Sequence, residues 1–343
     1  MIVVYTAIVL SVLIFAHELG HFGAAKLSKI KVNEFALGMG PAIFKRQRGE
    51  TVYALRAFPI GGFCAMEGEN GDSEDEKSFD SKPMGIRAIV LAAGSFMNVV
   101  LAILIMTGII LYFGTSATTT LNTVTDGSPA QLAGILPGDR IVSVGGVETD
   151  AWEDIVKEIS GTGKDSILIG IVRGGNELMV QTDIATAENG RKIIGISPKI
   201  NRNPFAALVM GTKASYGMIV NTVDVLRQLF TGEVPATEMT SIVGIAVIVD
   251  ETAKIGMLPL LDLVALISLN LAIVNMLPFP ALDGGRLVFL VIRKATGRAV
   301  TDKMEATVHM IGFAMLIALM LFVTWNDIGR LVNGTFPGLG GGF

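Results

Sequence analysis

The chain has little of what a disulfide-bonded, soluble or nucleic-acid-binding protein needs. A single cysteine, Cys64, among 343 residues excludes an internal disulfide and any metal cluster held by several cysteines. Charged residues make up only 17% of the chain, below the roughly 25% that is usual for soluble domains. The net charge of -4 offers no basic surface to a nucleic acid. Hydrophobic residues make up 51% and the mean hydropathy is +0.58, so the composition indicates a protein whose partner is the lipid bilayer.

Four apolar stretches are long enough to cross a bilayer, which takes about 20 helical residues. They cover residues 2–27, 86–113, 257–277 and 308–325. The first stretch lacks the basic start and the small-residue cleavage site of a signal peptide. We therefore expect it to remain in the protein as the first transmembrane helix.

Positively charged residues predict the orientation of these spans. Ten Lys and Arg residues lie between residues 26 and 87, and five lie between residues 286 and 303. Short cytoplasmic loops are rich in these residues, so both connections are predicted to be cytoplasmic and residues 114–255 extracytoplasmic. The predicted fold class is a polytopic α-helical membrane protein with four transmembrane helices, a cytoplasmic β-strand loop at 28–85 and an inserted extracytoplasmic domain.

The remaining segments complete the predicted domain plan. Residues 115–200 contain short β-rich runs, such as 140–144, and one helix at 152–159, which is typical of a small α+β domain. Residues 203–256 carry apolar side chains at helical spacing and predict an amphipathic, membrane-associated segment. Membrane domain parts at 1–113 and 257–343 enclose these two segments.

The first span contains a metal-binding pattern, the sequence HELGH at residues 17–21. Residues four apart on a helix share a face, so His17 and His21 can bind one ion with Glu18 beside them. Two neutral imidazoles suit Zn²⁺, and a glutamate can take the proton of an attacking water. Ionisable side chains in a membrane segment are costly, which favours a functional role. The third histidine, His309, is expected to be an ordinary helix-end residue.

A hydrolytic zinc site takes three protein ligands and keeps one open position. Cysteine and histidine are so scarce here that the third ligand is expected to be a carboxylate. Asp283 is the leading prediction, because it follows Pro278 and Pro280, which end the third span, and precedes two glycines of a predicted turn. A helix broken inside a membrane must be buried in protein or line a watery cavity. Asp262, at the outer end of that span, is the weaker alternative.

Amide side chains in the spans are candidates for substrate contact. Asn270 and Asn275 could bond neighbouring helices, which is common for amides in membranes, or hold the substrate backbone and a developing oxyanion. For Asn275, close to the proline break, the functional role is favoured. Asn98 in the second span is left open between the same two roles.

The HELGH motif, the sequence NMLPFPALDGG at residues 275–285 and the insert together resemble the site-2 proteases, and more closely their bacterial RseP-like group. The resemblance implies an intramembrane zinc endopeptidase in the bacterial plasma membrane, with its active site near the cytoplasmic side. It implies one Zn²⁺ on His17, His21 and Asp283, with Glu18 as general base. It also implies that the substrates are single-span membrane proteins, such as anti-sigma factors cut first by an upstream site-1 type protease, or remnant signal peptides.

The resemblance extends to the segments outside the spans. Residues 127–146 look like part of a PDZ domain, present once, which either recruits or filters substrates. The strands ending at Gly61, Gly62 and Phe63 are implied to pair with an unwound substrate segment, because a helical peptide bond is shielded by its own hydrogen bonds. The alternative function is a non-enzymatic PDZ-bearing membrane receptor with a vestigial metal site, against which the intact Glu18 argues. A third alternative, a zinc transporter, would need polar ligands distributed along a path through the membrane and not one hydrolytic cluster.

Overall fold

A computed structural model describes residues 1–69, 73–188, 190–235, 238–296 and 302–335. The chain divides into two compact units. The membrane unit combines Met1–Met106 with Gly211–Phe343, and the inserted unit is Thr107–Met210. The predicted domain at 115–200 lies within the inserted unit, whereas residues 336–343 of the predicted second membrane part lie outside the described residues.

The helices and strands follow one another along the chain with these bounds: α1 (Ile2–Leu27), β1 (Val32–Arg48), β2 (Thr51–Met66), α2 (Met84–Phe113), β3 (Ser116–Val124), α3 (Pro129–Leu132), β4 (Arg140–Val144), β5 (Val147–Glu148), α4 (Trp152–Gly161), β6 (Ser166–Arg173), β7 (Asn176–Asp183), β8 (Ala185–Thr186), β9 (Lys192–Ile193), β10 (Ile196–Asn201), α5 (Pro204–Thr231), α6 (Ile242–Ile255), α7 (Met257–Asn275), α8 (Asp283–Thr296) and α9 (Asp302–Val332).

Four of the described helices are long and apolar enough to cross a membrane, which confirms the predicted number of spans. They are α1, α2, α7 and the stretch Lys303–Val332 of α9. The fourth helix is longer at both ends than its predicted apolar run, because the helical backbone continues into polar flanks that hydropathy does not register. The segment predicted as amphipathic at 203–256 contains two separate helices, α5 and α6.

The predicted strand loop is a long antiparallel hairpin of β1 and β2. The pairing of β2 with β1 changes register between Phe58 and Gly62, although β2 itself runs on through Gly61 and Gly62. Gly61 adopts a φ of 93°, which glycine tolerates without strain, and β2 continues to Met66. The end of the hairpin near α1 is buried, with Phe35 and Cys64 in one apolar cluster with residues of α1, α2 and α8. The far end, residues 40–50, is exposed.

Close helix contacts bring the HELGH motif next to α2. A Cβ atom on Gly20 would lie 2.2 Å from the carbonyl oxygen of Ala93, so glycine is required where α1 meets α2. On another side of α1, Val9 and Leu13 pack with Val249 of α6 and with α7. The face of the first span that carries the histidines is therefore packed against protein, whereas Phe15 and Leu19 are exposed.

The inserted unit is an antiparallel sheet with the strand order β10-β3-β4-β6-β7, and β5 pairs with β4. The predicted strand at 140–144 coincides with β4, and α4 extends two residues beyond the predicted helix at 152–159. Isoleucines dominate the core of this unit. Two of them, Ile141 of β4 and Ile169 of the neighbouring strand β6, are fully buried. The α+β organisation expected from the sequence is observed.

Candidate metal centre

Three predicted ligands meet within the membrane unit. His17 and His21 are both buried on one face of α1, and Asp283 is the first residue of α8. The two Nε2 atoms lie 3.2 Å apart. The Oδ2 atom of Asp283 lies 3.2 Å from Nε2 of His17 and 3.4 Å from Nε2 of His21.

This donor set fits Zn²⁺. Tetrahedral ligands at about 2.0–2.1 Å from the metal stand about 3.3 Å from one another, and the three measured separations bracket that value. Oδ2 of Asp283 is buried and makes no hydrogen bond within the described part of the chain, although two ring nitrogens face it. A cation shared by the three atoms accounts for such crowding of lone pairs.

The second nitrogen of each histidine faces α2. Nδ1–H of His21 donates to the carbonyl oxygen of Val90 at 2.8 Å, which leaves the Nε2 lone pair for a metal. Nδ1 of His17 lies 3.3 Å from the amide of Asn98, which is fully buried. The Oδ1 atom of Asn98 lacks a partner among the described residues. Turning this amide by 180° lets Oδ1 accept the His17 Nδ1–H, so Asn98 is suited to orient a ligand.

A glycine of α2 makes room for both imidazoles. A Cβ atom on Gly94 would lie 2.3 Å from Nε2 of His21 and 2.7 Å from the His17 ring. Sequence reasoning did not single out Gly94. The available signal was the small-residue run at 92–95 inside a predicted span, which is typical of a close helix approach.

The segment that carries Asp283 differs in one point from its prediction. Asp283 is not on a glycine turn but begins helix α8, because the chain bends earlier, between Asn275 and Ala281. Ala281 has a φ of 75°, a left-handed conformation that costs a non-glycine residue about 1–2 kcal/mol. Gly284 and Gly285 serve close packing, since a Cβ on either would lie within 2.4 Å of a carbonyl oxygen of the preceding loop.

A cavity of about 300 Å³ adjoins the ligands. Glu18 lines it, and β2 passes close by, because a Cβ on Gly62 would lie only 3.5 Å from Cγ of Glu18. The amide nitrogen of Asn275 lies 3.3 Å from Nε2 of His17, beside the metal position. The lining residues are Ile14, His17, Glu18, Gly61, Gly62, Leu271, Asn275, Ala281, Leu282 and Asp283.

Three sequence-based candidates lie elsewhere. The hydroxyl of Thr222 in α5 donates to Oδ1 of Asn270 at 2.9 Å, so this amide joins two helices. The guanidinium of Arg56 lies over the ring of Phe63 at 4.9 Å, and Phe63 is not among the residues lining the cavity. In the described part of the chain the metal-binding group contains His17, His21 and Asp283 and not Asp262.

A buried two-histidine, one-carboxylate centre with a glutamate beside it, held by membrane-length helices, defines the class of membrane-embedded zinc metalloproteases. The sequence pattern of peptidase family M50 matches residues 5–319. The chain belongs to this family, the site-2 protease family, with Zn²⁺ as its cofactor. A non-enzymatic receptor is therefore the wrong alternative.

Relatives that match along nearly their whole length agree with this membership. The regulator of sigma-W protease RasP of Bacillus subtilis is 31% identical, and the match covers 94% of this chain and 97% of the relative. The zinc metalloprotease RasP of Shouchella clausii is 29% identical, with 95% and 98% covered.

Among solved structures, the PDZ domain of an SdrC-like protein from Listeria monocytogenes is 20% identical over 24% of this chain and 87% of its own, with a TM-score of 0.22.

Proposed function

We propose that the protein is an intramembrane endopeptidase that hydrolyses peptide bonds within or near the transmembrane segments of single-span membrane proteins. The observation that carries this proposal is the location of the ligands. His17 and His21 lie within a membrane-length helix, and Asp283 follows the break after another. A protease site at that depth acts on chains that are themselves in the bilayer.

Each residue at the cavity has a proposed role in hydrolysis. His17, His21 and Asp283 would hold Zn²⁺, which would supply polarisation of the scissile carbonyl and acidification of the attacking water. Glu18 accepts the proton of that water at its carboxylate and returns it to the leaving amide nitrogen. The amide of Asn275 donates a hydrogen bond to the carbonyl oxygen as negative charge develops there.

Strand β2 is proposed to hold the substrate. A helical peptide bond is shielded by its own hydrogen bonds, so the substrate must become extended before it is cut. Residues 62–66 of β2 each have one partner in β1, whereas residues 52–55 have two, so the edge available to an added strand is at the Gly62 end. Gly61 and Gly62 line the cavity, and Gly62 lies close to Glu18.

The decisive experiment replaces the proposed general base. Glu18→Gln cannot accept a proton, so purified protein in detergent should cleave single-span peptides about 10²–10⁴-fold more slowly while retaining zinc. Asp283→Ala should lower the zinc affinity as well. Glu153→Gln, on the exposed surface of α4, is the matched control. Turnover by Glu18→Gln within threefold of wild type would overturn the proposed mechanism.

The orientation in the membrane is proposed from the charged connections, with residues 28–85 and the active site toward the cytoplasm and the PDZ-like domain outside. Cys64 is a poor probe of it, because the side chain is 7% exposed and burial raises the pKa of its thiol. In a Cys64→Ser background, Thr186→Cys and Lys45→Cys place thiols at exposed positions. An impermeant thiol reagent on intact cells should label the first variant and reach the second only after lysis. The opposite pattern would invert the topology.

The substrates are proposed to include an anti-sigma factor, because one relative is named a regulator of sigma-W. An upstream site-1 type protease would then shorten the substrate before it reaches this enzyme. Comparing full-length and shortened forms of one single-span substrate tests this order. Equal cleavage of the two forms would argue against a preceding cut.

A further inference from the structure

The loop between α7 and α8 is held by the last span, α9. The backbone N–H of Ala281 donates to Nδ1 of His309 at 2.7 Å. Ala281 has the left-handed φ of 75° and lies two residues before Asp283. A non-glycine residue keeps such a conformation only where its surroundings fix it. The hydrogen bond that Ala281 donates to His309 is one such restraint.

A second contact lies one helical turn further along α9. A Cβ atom on Gly312 would lie 2.5 Å from Cβ of Pro280 and 2.7 Å from its carbonyl oxygen. Residues three apart on a helix are neighbours on its surface. His309 and Gly312 thus contact two successive residues of the loop, Ala281 through its N–H and Pro280 through its ring and carbonyl.

The His309 ring is itself held in place. Its centroid lies 5.3 Å from that of Phe289 in α8, with the ring planes tilted by 48°. Nε2 of His309 lies 3.8 Å from Oε1 of Glu305, one turn earlier on α9. Nδ1 must carry a lone pair to accept from Ala281, so Nε2 carries the proton on the side of this carboxylate.

We propose that His309 is a positioning residue for Asp283, acting through Ala281 and not as a zinc ligand. The proposal rests on the ligand role of Asp283 given above. The carboxylate must stand close to both imidazoles at once, and the hydrogen bond to Ala281 fixes the one loop conformation that places it there. Losing an outer partner of a metal ligand typically weakens metal binding about 10–100-fold.

Three substitutions at His309 separate positioning from packing. His309→Leu removes the acceptor, and we expect zinc affinity, measured on the purified full chain in detergent by competition with a chelating dye, to fall about tenfold or more. His309→Asn carries its Oδ1 at the place of Nδ1 and should recover most of the affinity. His309→Gln moves the acceptor one bond further and should recover less. Equal affinities for the Leu and Asn variants would overturn the proposal.

Two further measurements make the outcome specific. Met310→Leu changes an exposed neighbour on α9 and should leave zinc affinity within twofold. In an Asp283→Ala background, His309→Leu should add no further loss, because the ligand that it positions is absent. A wild-type protein that binds no zinc would refute the proposed function, whereas zinc-binding wild type with an equally tight His309→Leu variant would refute this inference alone.

Discussion

The carboxylates of Asp139 in the inserted unit and Asp283 in the membrane unit are both shielded from solvent, but they differ in their hydrogen-bond partners. Asp139 of the inserted unit accepts hydrogen bonds from Arg173 at 2.7 and 2.6 Å and from the backbone N–H of Leu136 at 2.8 Å. Asp283 of the membrane unit faces two imidazole nitrogens, and its Oδ2 has no hydrogen bond within the described residues. A carboxylate whose partners are complete stabilises a fold. One that lacks them indicates a place for a ligand.

The cores of the two units also differ in the polar side chains that they bury. Isoleucines dominate the core of the inserted unit. The membrane unit buries His17, His21 and Asn98 close together. Buried polar groups are costly unless they are satisfied, so such a cluster persists where it binds something. Within this cluster, the space around the two imidazoles is smallest at Gly94.

Gly94→Ala should break the metal site. The new Cβ would overlap Nε2 of His21, so we expect zinc affinity to fall at least about 100-fold and peptidase activity to fall with it. Gly108→Ala is the control on the same helix, since its Cβ would meet nothing within 4 Å. Zinc titration of both variants makes the test. Normal zinc binding by Gly94→Ala would exclude the proposed ligand geometry.

Asn98→Leu should weaken the site without blocking it. The variant leaves Nδ1–H of His17 unsatisfied, and we expect zinc affinity about 10–100-fold below wild type. Asn98→Asp keeps an acceptor at that nitrogen and should bind zinc more tightly than the leucine variant. If both variants bind zinc as wild type does, Asn98 only joins helices.

Arg173→Met should affect the inserted unit alone. It leaves the carboxylate of Asp139, 2% exposed, without its charged partner. Breaking a buried pair costs about 3–5 kcal/mol. Arg173 is itself 37% exposed and partly screened by solvent, so we expect a loss below that range. Proteolysis of residues 107–210 should accelerate while zinc affinity stays unchanged. Adding Asp139→Asn should restore part of the loss. A change in zinc affinity would contradict the separation of the two units.

The Asp139–Arg173 pair predicts a small pH dependence of the stability of the inserted unit. The hydrogen bonds from Arg173 hold the pKa of Asp139 below its ordinary value. The stability that this carboxylate contributes is therefore complete above its unfolded pKa of about 3.9 and is lost as the pH falls through the lower folded value. Resistance of the inserted unit to proteolysis should decline below about pH 4 in wild type, and this step should shrink in Arg173→Met. An unchanged step would assign the acid sensitivity to another group.

Local pattern was sufficient for much of the protein. A four-residue spacing places His17 and His21 on one face of a helix wherever that helix lies, and the run of apolar residues sets the length of a span. The strand at 140–144 follows from its own residues in the same way. Asp283 was identifiable because two prolines must end the preceding helix.

Tertiary structure decided which distant residues support the predicted ligands. Gly94, Asn98 and His309 lie about 70 to 290 residues from the HELGH motif, and no local periodicity connects them to it. Their roles depend on where α2 and α9 pack. At Gly94 a difference of a few tenths of an ångström in the distance between α2 and the imidazoles would matter. The sequence determined the metal-binding helix and the kind of ligands. The packing of α2, the α7–α8 loop and α9 decided how those ligands are oriented, because hydrogen bonds and van der Waals contacts between distant segments exist only once the chain has folded.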